Sequence, residues 1–411
     1  MISKLNMQNH LKLFVMSSVL ISCGGGGGGS APAALPTASA SLTSTSSSIA
    51  VGSSITLSWS SANATSCTAS GSWSGAKATS GTEELTLSIA GNSSFNIDCS
   101  GATDSASVEA YRLAAGVVVD GYISEAQIFI DENNNLIADG GENTGSSAID
   151  GKFSIKYANG NLISKGGIDA DSQTTLEDLI LIHKLDGHSD FIAVTPITTI
   201  AFSMENPSQI NTLLGIDTSI DVFSFDPVAN KGDAGINDFV YEKGNQLTIL
   251  ALSLANIANT NKGQTNSTED FFKAISEEME KEYALTQTSV NIESGTFIDK
   301  VLTNVVAAKE LTITNEVKSQ SLSVLARTLP VIQIKQNDNS TTALVRFGLT
   351  TMQTDIVSIA NGSATSSLLA SYESDIVNYI SADQGISASE IDRSVSAFID
   401  SITTAEDSTI V

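Results

Sequence analysis

Basic side chains are scarce in this 411-residue chain, where 20 Lys and Arg stand against 45 Asp and Glu for a formal charge of −25. So negative a field repels phosphate backbones and anionic headgroups, which argues against nucleic acid as a partner. Spread-out carboxylates keep an exported protein soluble, and divalent cations are their natural counter-ions. Histidine is also rare, with three in the chain. His183 and His188, with Asp186, form a grouping that could seed a metal site, but a surface loop is the better reading. Catalytic signatures are missing: there is no Gly-x-Ser-x-Gly elbow, His-Glu-x-x-His helix, phosphate loop or dinucleotide fingerprint. Carboxylates are numerous enough to supply an acid and base pair, yet nothing selects one. Aromatic residues make up only 6% and charged residues 16%. Core-forming side chains are not lacking, since 41% of residues are hydrophobic, enough for about two to four domains.

Lys4 and Lys12 flank an apolar run from Leu13 to Ile21, too short to span a bilayer as a helix and typical of a secretory signal. The run closes with Leu20-Ile21-Ser22-Cys23, which resembles the lipobox of bacterial lipoproteins. The resemblance implies removal of residues 1–22, diacylation of the Cys23 thiol and acylation of the new amino terminus. Several acyl chains, at about 0.8 kcal/mol per buried methylene, hold a protein firmly on a membrane. A plain signal peptide with a chance Cys is the alternative. Residues 23–36 form a Gly/Ser/Pro-rich tether, and the Ser/Ala/Pro/Thr-rich composition runs on to about Ser48. Gly24 stands where the enterobacterial sorting rule wants Asp for inner-membrane retention, so the outer membrane is expected, on its periplasmic or cell-surface side. With Cys23 lipidated, Cys67 and Cys99 remain as an even pair in an oxidising compartment, and a disulfide between them is expected.

The expected fold class is multidomain, β then α: an Ig-like β-sandwich at 37–112, a small β-sandwich module at 113–196, and a mainly helical domain at 197–411. Short period-2 runs such as Ile55-Thr56-Leu57-Ser58-Trp59, Leu85-Thr86-Leu87-Ser88-Ile89 and Phe95-Asn96-Ile97-Asp98-Cys99 alternate with Gly/Ser/Asn turns. Leu57-Ser58-Trp59, Asn63-Ala64-Thr65-Ser66-Cys67, Trp73-Ser74-Gly75 and Cys99 together resemble bacterial Ig-like modules. Trp59 is expected in the core beside the disulfide; Trp73 is open between core and surface. In the second region Gly121-Tyr122-Ile123, Phe129-Ile130-Asp131 and Gly151-Lys152-Phe153 resemble small β-sandwich modules of bacterial surface proteins. Gly166-Gly167-Ile168-Asp169 and the segment from Val194 to Ile200 look like stretches that follow such modules in large, calcium-rich exported proteins. That resemblance concerns architecture and names no activity.

Between those strands lies the run Asp131 to Glu142. Oxygen-bearing side chains fall at positions 1, 3, 5, 9 and 12 of it (Asp131, Asn133, Asn135, Asp139, Glu142), with the Ile137 carbonyl at position 7, the ligand order of an EF-hand-like calcium loop. Leu136 replaces the usual glycine at position 6 and the flanks read as strand. The expectation is therefore a structural calcium on a β scaffold, the alternative an Asn/Gly-rich turn. Past Pro196, Ile236, Phe239, Val240, Leu247, Leu250, Leu254 and Ile257 fall on one helical face, and Phe272, Ile275 and Met279 on another. Ser387 with Glu390 makes a capping box. Val331–Ile334 and Leu344–Phe347 are read as a hairpin exception, and Asp226-Pro227 as a break between elements.

The functional expectation is a non-catalytic surface binding or adhesive lipoprotein that meets a membrane through its anchor and a protein or glycan ligand through its folded part. An envelope hydrolase with its site in the helical domain, and a periplasm-facing assembly lipoprotein, stay open beside it.

Overall fold

The computed structural model describes residues 36–185, 187, 189–229, 236–260, 267–333 and 338–364. The expected signal peptide and lipidation site at Cys23, Asp186, His188, Ile334 and the expected capping box of Ser387 and Glu390 lie outside them. Eight strands come first: β1 (Ser39–Ser44), β2 (Ser48–Ala50), β3 (Ser54–Ala62), β4 (Cys67–Gly71), β5 (Gly75–Lys77), β6 (Ser80–Thr86), β7 (Gly91–Cys99) and β8 (Ala102–Tyr111). They form two sheets, ordered β1-β3-β6 and β2-β8-β7-β4-β5. Alternation decides which side chains go inward: Ile55, Leu57 and Trp59 of β3 are buried, as are Phe95, Ile97 and Cys99 of β7. The expected strand Leu85–Ile89 stops short, because β6 ends at Thr86 and Leu87 turns aside to exchange backbone hydrogen bonds with Gly52 and Ser53, leaving Ile89 exposed.

Nine more strands follow: β9 (Leu113–Val118), β10 (Ile123–Ser124), β11 (Gln127–Asp131), β12 (Thr144–Ser146), β13 (Lys152–Lys156), β14 (Asn161–Lys165), β15 (Ile168–Asp169), β16 (Ile180–Lys184) and β17 (Ile192–Val194). Their sheets are ordered β13-β9-β17, β12-β11-β14-β16 and β10-β15, with β9 and β17 parallel. Eight α-helices complete the described chain: α1 (Pro196–Ser203), α2 (Ile210–Leu214), α3 (Ile236–Asn259), α4 (Thr268–Thr286), α5 (Gly295–Ala308), α6 (Asn315–Thr328), α7 (Asp338–Leu349) and α8 (Thr351–Ala360). The architecture is thus β followed by α.

Local chemistry sets the helix starts. Thr195 and Thr198 cap α1 reciprocally with Pro196 in the first turn, while Ser294 and Thr314 accept the amides of Phe297 and Val317 at the heads of α5 and α6. Helix α3 runs unbroken through Gly244 because its stripe of Val240, Leu247, Leu250, Leu254 and Ile257 is buried, and burial outweighs about 1 kcal/mol of glycine propensity. The hairpin expected from Val331–Ile334 and Leu344–Phe347 is not formed. Pro330–Gln333 is a 3₁₀ turn, and Leu344, Val345 and Phe347 are buried on α7. The β-branched residues there satisfied a strand pattern, but a helix buries them better. No helix among the described residues is long and apolar enough to cross a membrane.

The described residues divide into two compact units, one made of 36–44 with 56–83 and 94–106, the other of 45–55, 84–93 and the described residues from 107 onward. In the first, Trp59 and Trp73 meet edge to face at 5.4 Å and Trp73 meets Phe95 at 6.5 Å, so both indoles are core. Their N–H groups donate to the carbonyls of Ala78 and Asn96. In the second unit a single hydrophobic cluster runs from Ala114, Ile128, Phe153 and Leu181 to Leu250, Phe272, Val301 and Ile356, spanning strands and helices alike.

Candidate metal centre

The expected calcium loop leaves β11 at Asp131 and reaches β12 at Thr144, so strands flank it as the sequence suggests. Asp131 is fully buried. Its Oδ1 accepts the backbone amides of Asn133, Asn134 and Asn135 at 3.2, 2.6 and 3.3 Å, and its Oδ2 accepts that of Leu136 at 2.9 Å. The chain therefore winds around the first carboxylate. Asn133 and Asn135 both donate their amide N–H to Asp139 Oδ2, at 2.7 and 2.8 Å, and hold that carboxyl below its ordinary range. Glu142 closes the turn, accepting from Glu132 N at 3.0 Å and Asp139 N at 2.9 Å. Leu136 has φ of 58°, the left-handed conformation for which glycine is the default residue. Its side chain packs on Phe129, Ile163, Ile180 and Ile182 beneath the loop. The loop thus draws Asp131, Asn133, Asn135, Asp139 and Glu142 into one hydrogen-bonded turn. The Ile137 side chain stays exposed. Among the described residues, however, no three His, Cys, Asp or Glu side chains group closely enough to hold an ion by themselves.

The Cys67–Cys99 disulfide is formed. The two cysteines are register partners on the adjacent strands β4 and β7, so the bond lies within one sheet instead of crossing between sheets. His183 is a correction: it sits on β16, 6% exposed, with Nδ1 2.9 Å from the Ala193 carbonyl and its ring edge-on to Phe223, and not on a surface loop. The apolar neighbours Leu181 and Ile182 are what carry it inside. Asp226 ends its segment as expected, its Oδ1 taking the amides of Val228 and Ala229. Its Oδ2 takes the Tyr122 hydroxyl, and burial followed by this carboxylate pushes the phenol up to about 12.

Sequence patterns gave no warning of a second constellation. Asp120 follows β9, Asp169 ends β15, Asp171 lies just after it, and α3 brings Tyr241, Asn245 and Thr248 along one face. Asp169 accepts Gly121 N at 2.9 Å and Ser172 N at 2.5 Å. A side chain on Gly121 would place its Cβ 2.3 Å from Asp169 Oδ2, so glycine is required there for close approach. Tyr241 donates to Asp171 Oδ2 at 2.6 Å, Arg346 donates to the Asp171 carbonyl at 2.8 Å, and Asn245 Nδ2 donates to the Asp120 carbonyl at 2.9 Å. Among the described residues, Asn245 Oδ1 has no hydrogen-bond partner. Burial, then the Asp169 carboxylate, raises the Asp120 carboxyl well above its usual range, with partial relief from the Thr248 hydroxyl facing it. Burial raises Asp169 as well, against its hydrogen bonds from Ser172. A different feature is open to solvent: a groove of about 700 Å³ bordered by Asn206, Gln209, Glu277, Glu280, Tyr283 and Gln287.

Compared with known proteins, the chain matches no family model, no curated protein and no solved structure.

Proposed function

We propose that this chain is a lipid-anchored, non-catalytic binding protein of the cell envelope, with an Ig-like module and a calcium-stiffened β module carrying a helical part that meets the ligand. The observation that carries the reading is the open groove between the end of α1 and α4, where carboxylate, amide, lysine and tyrosine side chains offer hydrogen bonds and one aromatic face. A hydroxyl-rich ligand suits that lining. Export is supported by the Cys67–Cys99 bond, since such bonds persist in oxidising compartments, and by the lipobox-like run ending at Cys23. Calcium in the Asp131–Glu142 loop is supported by the ligand order and by the left-handed backbone at position 6. Asp120 and Asp169, whose carboxyls burial pushes up, are sealed from solvent at 2% and 0% exposure and offer nothing to a substrate, which weighs against the hydrolase reading.

The test is capture of glycans and envelope proteins by the immobilised full chain, compared with a Tyr283→Ala/Gln287→Ala variant. We expect a ligand retained by the parent chain and released at least tenfold more readily by the variant. Equal retention would remove the groove from the account, and chemical turnover of a captured ligand would move the protein to the hydrolase class. Mass spectrometry of the native material should find acyl chains on Cys23 and no leader peptide.

A further inference from the structure

We infer that Asn159 is a site of spontaneous modification, at which the Gly160 backbone nitrogen attacks the Asn159 side chain and leaves an isoaspartyl link in the main chain beside the Asp131–Glu142 loop. The chain contains two Asn-Gly pairs, Asn159-Gly160 and Asn361-Gly362. Glycine matters in such a pair because, without a Cβ, it neither shields its own nitrogen nor limits the torsions that bring that nitrogen onto the asparagine side chain. The fold separates the two pairs. Asn159-Gly160 lies in the connection between β13 and β14, with Asn159 exposed. Among the described residues, neither the Asn159 side chain nor the Gly160 N–H is held by a hydrogen bond. Asn361 instead caps the end of α8 at φ −80° and ψ −4°, its N–H donating to the Val357 carbonyl, and the Gly362 N–H donates to the Ile359 carbonyl at 2.9 Å. Reaction there must first break the hydrogen bonds that close the helix.

The reaction consumes water and nothing else. The Gly160 nitrogen, on losing its proton, bonds to Asn159 Cγ as the Cγ–Nδ2 bond breaks, and ammonia leaves with that proton. Water then opens the five-membered imide at either carbonyl. Breaking the nitrogen bond at Cγ gives aspartate, and breaking it at the main-chain carbonyl carbon gives isoaspartate; nothing is oxidised or reduced. The place in the fold gives the product a consequence. Gly160 packs so closely that a Cβ on it would lie 2.5 Å from the Asp131 carbonyl oxygen. Asn161 is the register partner of Asp131 across β14 and β11, and its Nδ2 donates to Asn134 Oδ1 at 2.6 Å. Residues 160 and 161 thus brace the head of the loop, where the Asp131 carboxylate collects the amides of Asn133, Asn134, Asn135 and Leu136. Isoaspartate adds one methylene to the main chain immediately before this brace. Gly160 is moved off the Asp131 backbone, and the amides gathered behind it lose protection.

The test incubates the folded full chain at mildly alkaline pH, with the guanidinium-unfolded chain beside it. Peptide mapping by mass spectrometry then follows both Asn-Gly pairs, and electron-transfer fragmentation separates aspartate from isoaspartate. We expect residue 159 to convert at least tenfold faster than residue 361 in the folded chain, with isoaspartate the larger product, and the two pairs to convert alike when unfolded. Hydrogen exchange should show the amides of Asn133 to Leu136 opening faster in the aged chain than in the fresh one. Aged Asn159→Gln, whose longer side chain disfavours the ring closure, should keep the fresh pattern. So should freshly purified Asn159→Asp, which carries the new charge without the added methylene. Conversion at 159 no faster than at 361 in the folded chain overturns the site. Loop amides that open equally in aged Asn159→Gln overturn its link to the loop, and an Asn159→Asp chain that opens like the aged parent overturns the part given to the methylene.

Discussion

Leu136 shows how one residue can satisfy two opposed demands. The calcium-loop pattern asks for glycine at this position because the backbone turns left-handed, and φ is indeed 58°. A non-glycine residue there costs on the order of 1–2 kcal/mol. Against this, the Leu136 side chain covers Phe129, Ile163, Ile180 and Ile182, and partial burial of a leucine contributes on the order of 1–1.5 kcal/mol. Glycine would also give the unfolded chain about 0.5–1 kcal/mol of extra entropy. The last two effects together outweigh the first. We therefore expect Leu136→Gly to lower stability by about 0.5–1 kcal/mol in urea unfolding with calcium in excess. A more stable variant would mean that backbone strain dominates and that the side chain covers nothing of value.

At the scale of elements, β16 illustrates how a sheet edge is closed without another strand. It is the last strand of its sheet, and its outward amides at Ile180 and Ile182 are accepted by the hydroxyls of Thr268 and Thr199 at 2.8 and 2.9 Å. Thr268 donates in turn to the Asp178 carbonyl, and Thr198 to that of Ile182. The first residue of α4 and the first turn of α1 thus occupy the place of a neighbouring strand. Thr268→Val keeps the volume but strands the buried Ile180 N–H, and should cost about 1–3 kcal/mol, while Thr268→Ser should cost under about 1 kcal/mol. Denaturant midpoints of the two variants check this; equal midpoints would show that hydroxyl pairing is not what closes the edge. The sequence did not reveal β16 because Ile180-Leu181-Ile182 is apolar without alternation, as a strand covered on both faces must be, and β14 hides for the same reason in Leu162-Ile163. Alternating β3 and β7, the α3 stripe, the disulfide and the loop spacing were legible because each is a local pattern. Asp120, Asp169, Asn245 and Thr248 were not, since three separate segments meet only after folding and no spacing links them.

At the scale of the whole molecule, the expected boundary near residue 197 falls at the start of α1 but not at a gap in the core. Within the second compact unit, Ile128, Leu162, Leu181 and Val194 of the strands belong to the same buried cluster as Ile200, Leu250, Phe272 and Met279 of the helices. Separating the two would expose several large apolar side chains on each side, at about 1.5–3 kcal/mol apiece, comparable in sum with the 5–15 kcal/mol that holds an ordinary domain together. The segment 197–411 produced alone should therefore keep helical far-ultraviolet circular dichroism while losing near-ultraviolet signal and binding a dye for exposed apolar surface. The full chain should unfold this region in a cooperative transition. A sharp, cooperative melt of the isolated segment would show that the helices carry a sufficient core of their own and that the strands merely lean on it. The loss of cooperativity expected here follows from where Leu181 and Leu250 sit, in one cluster that forms only when both parts are present.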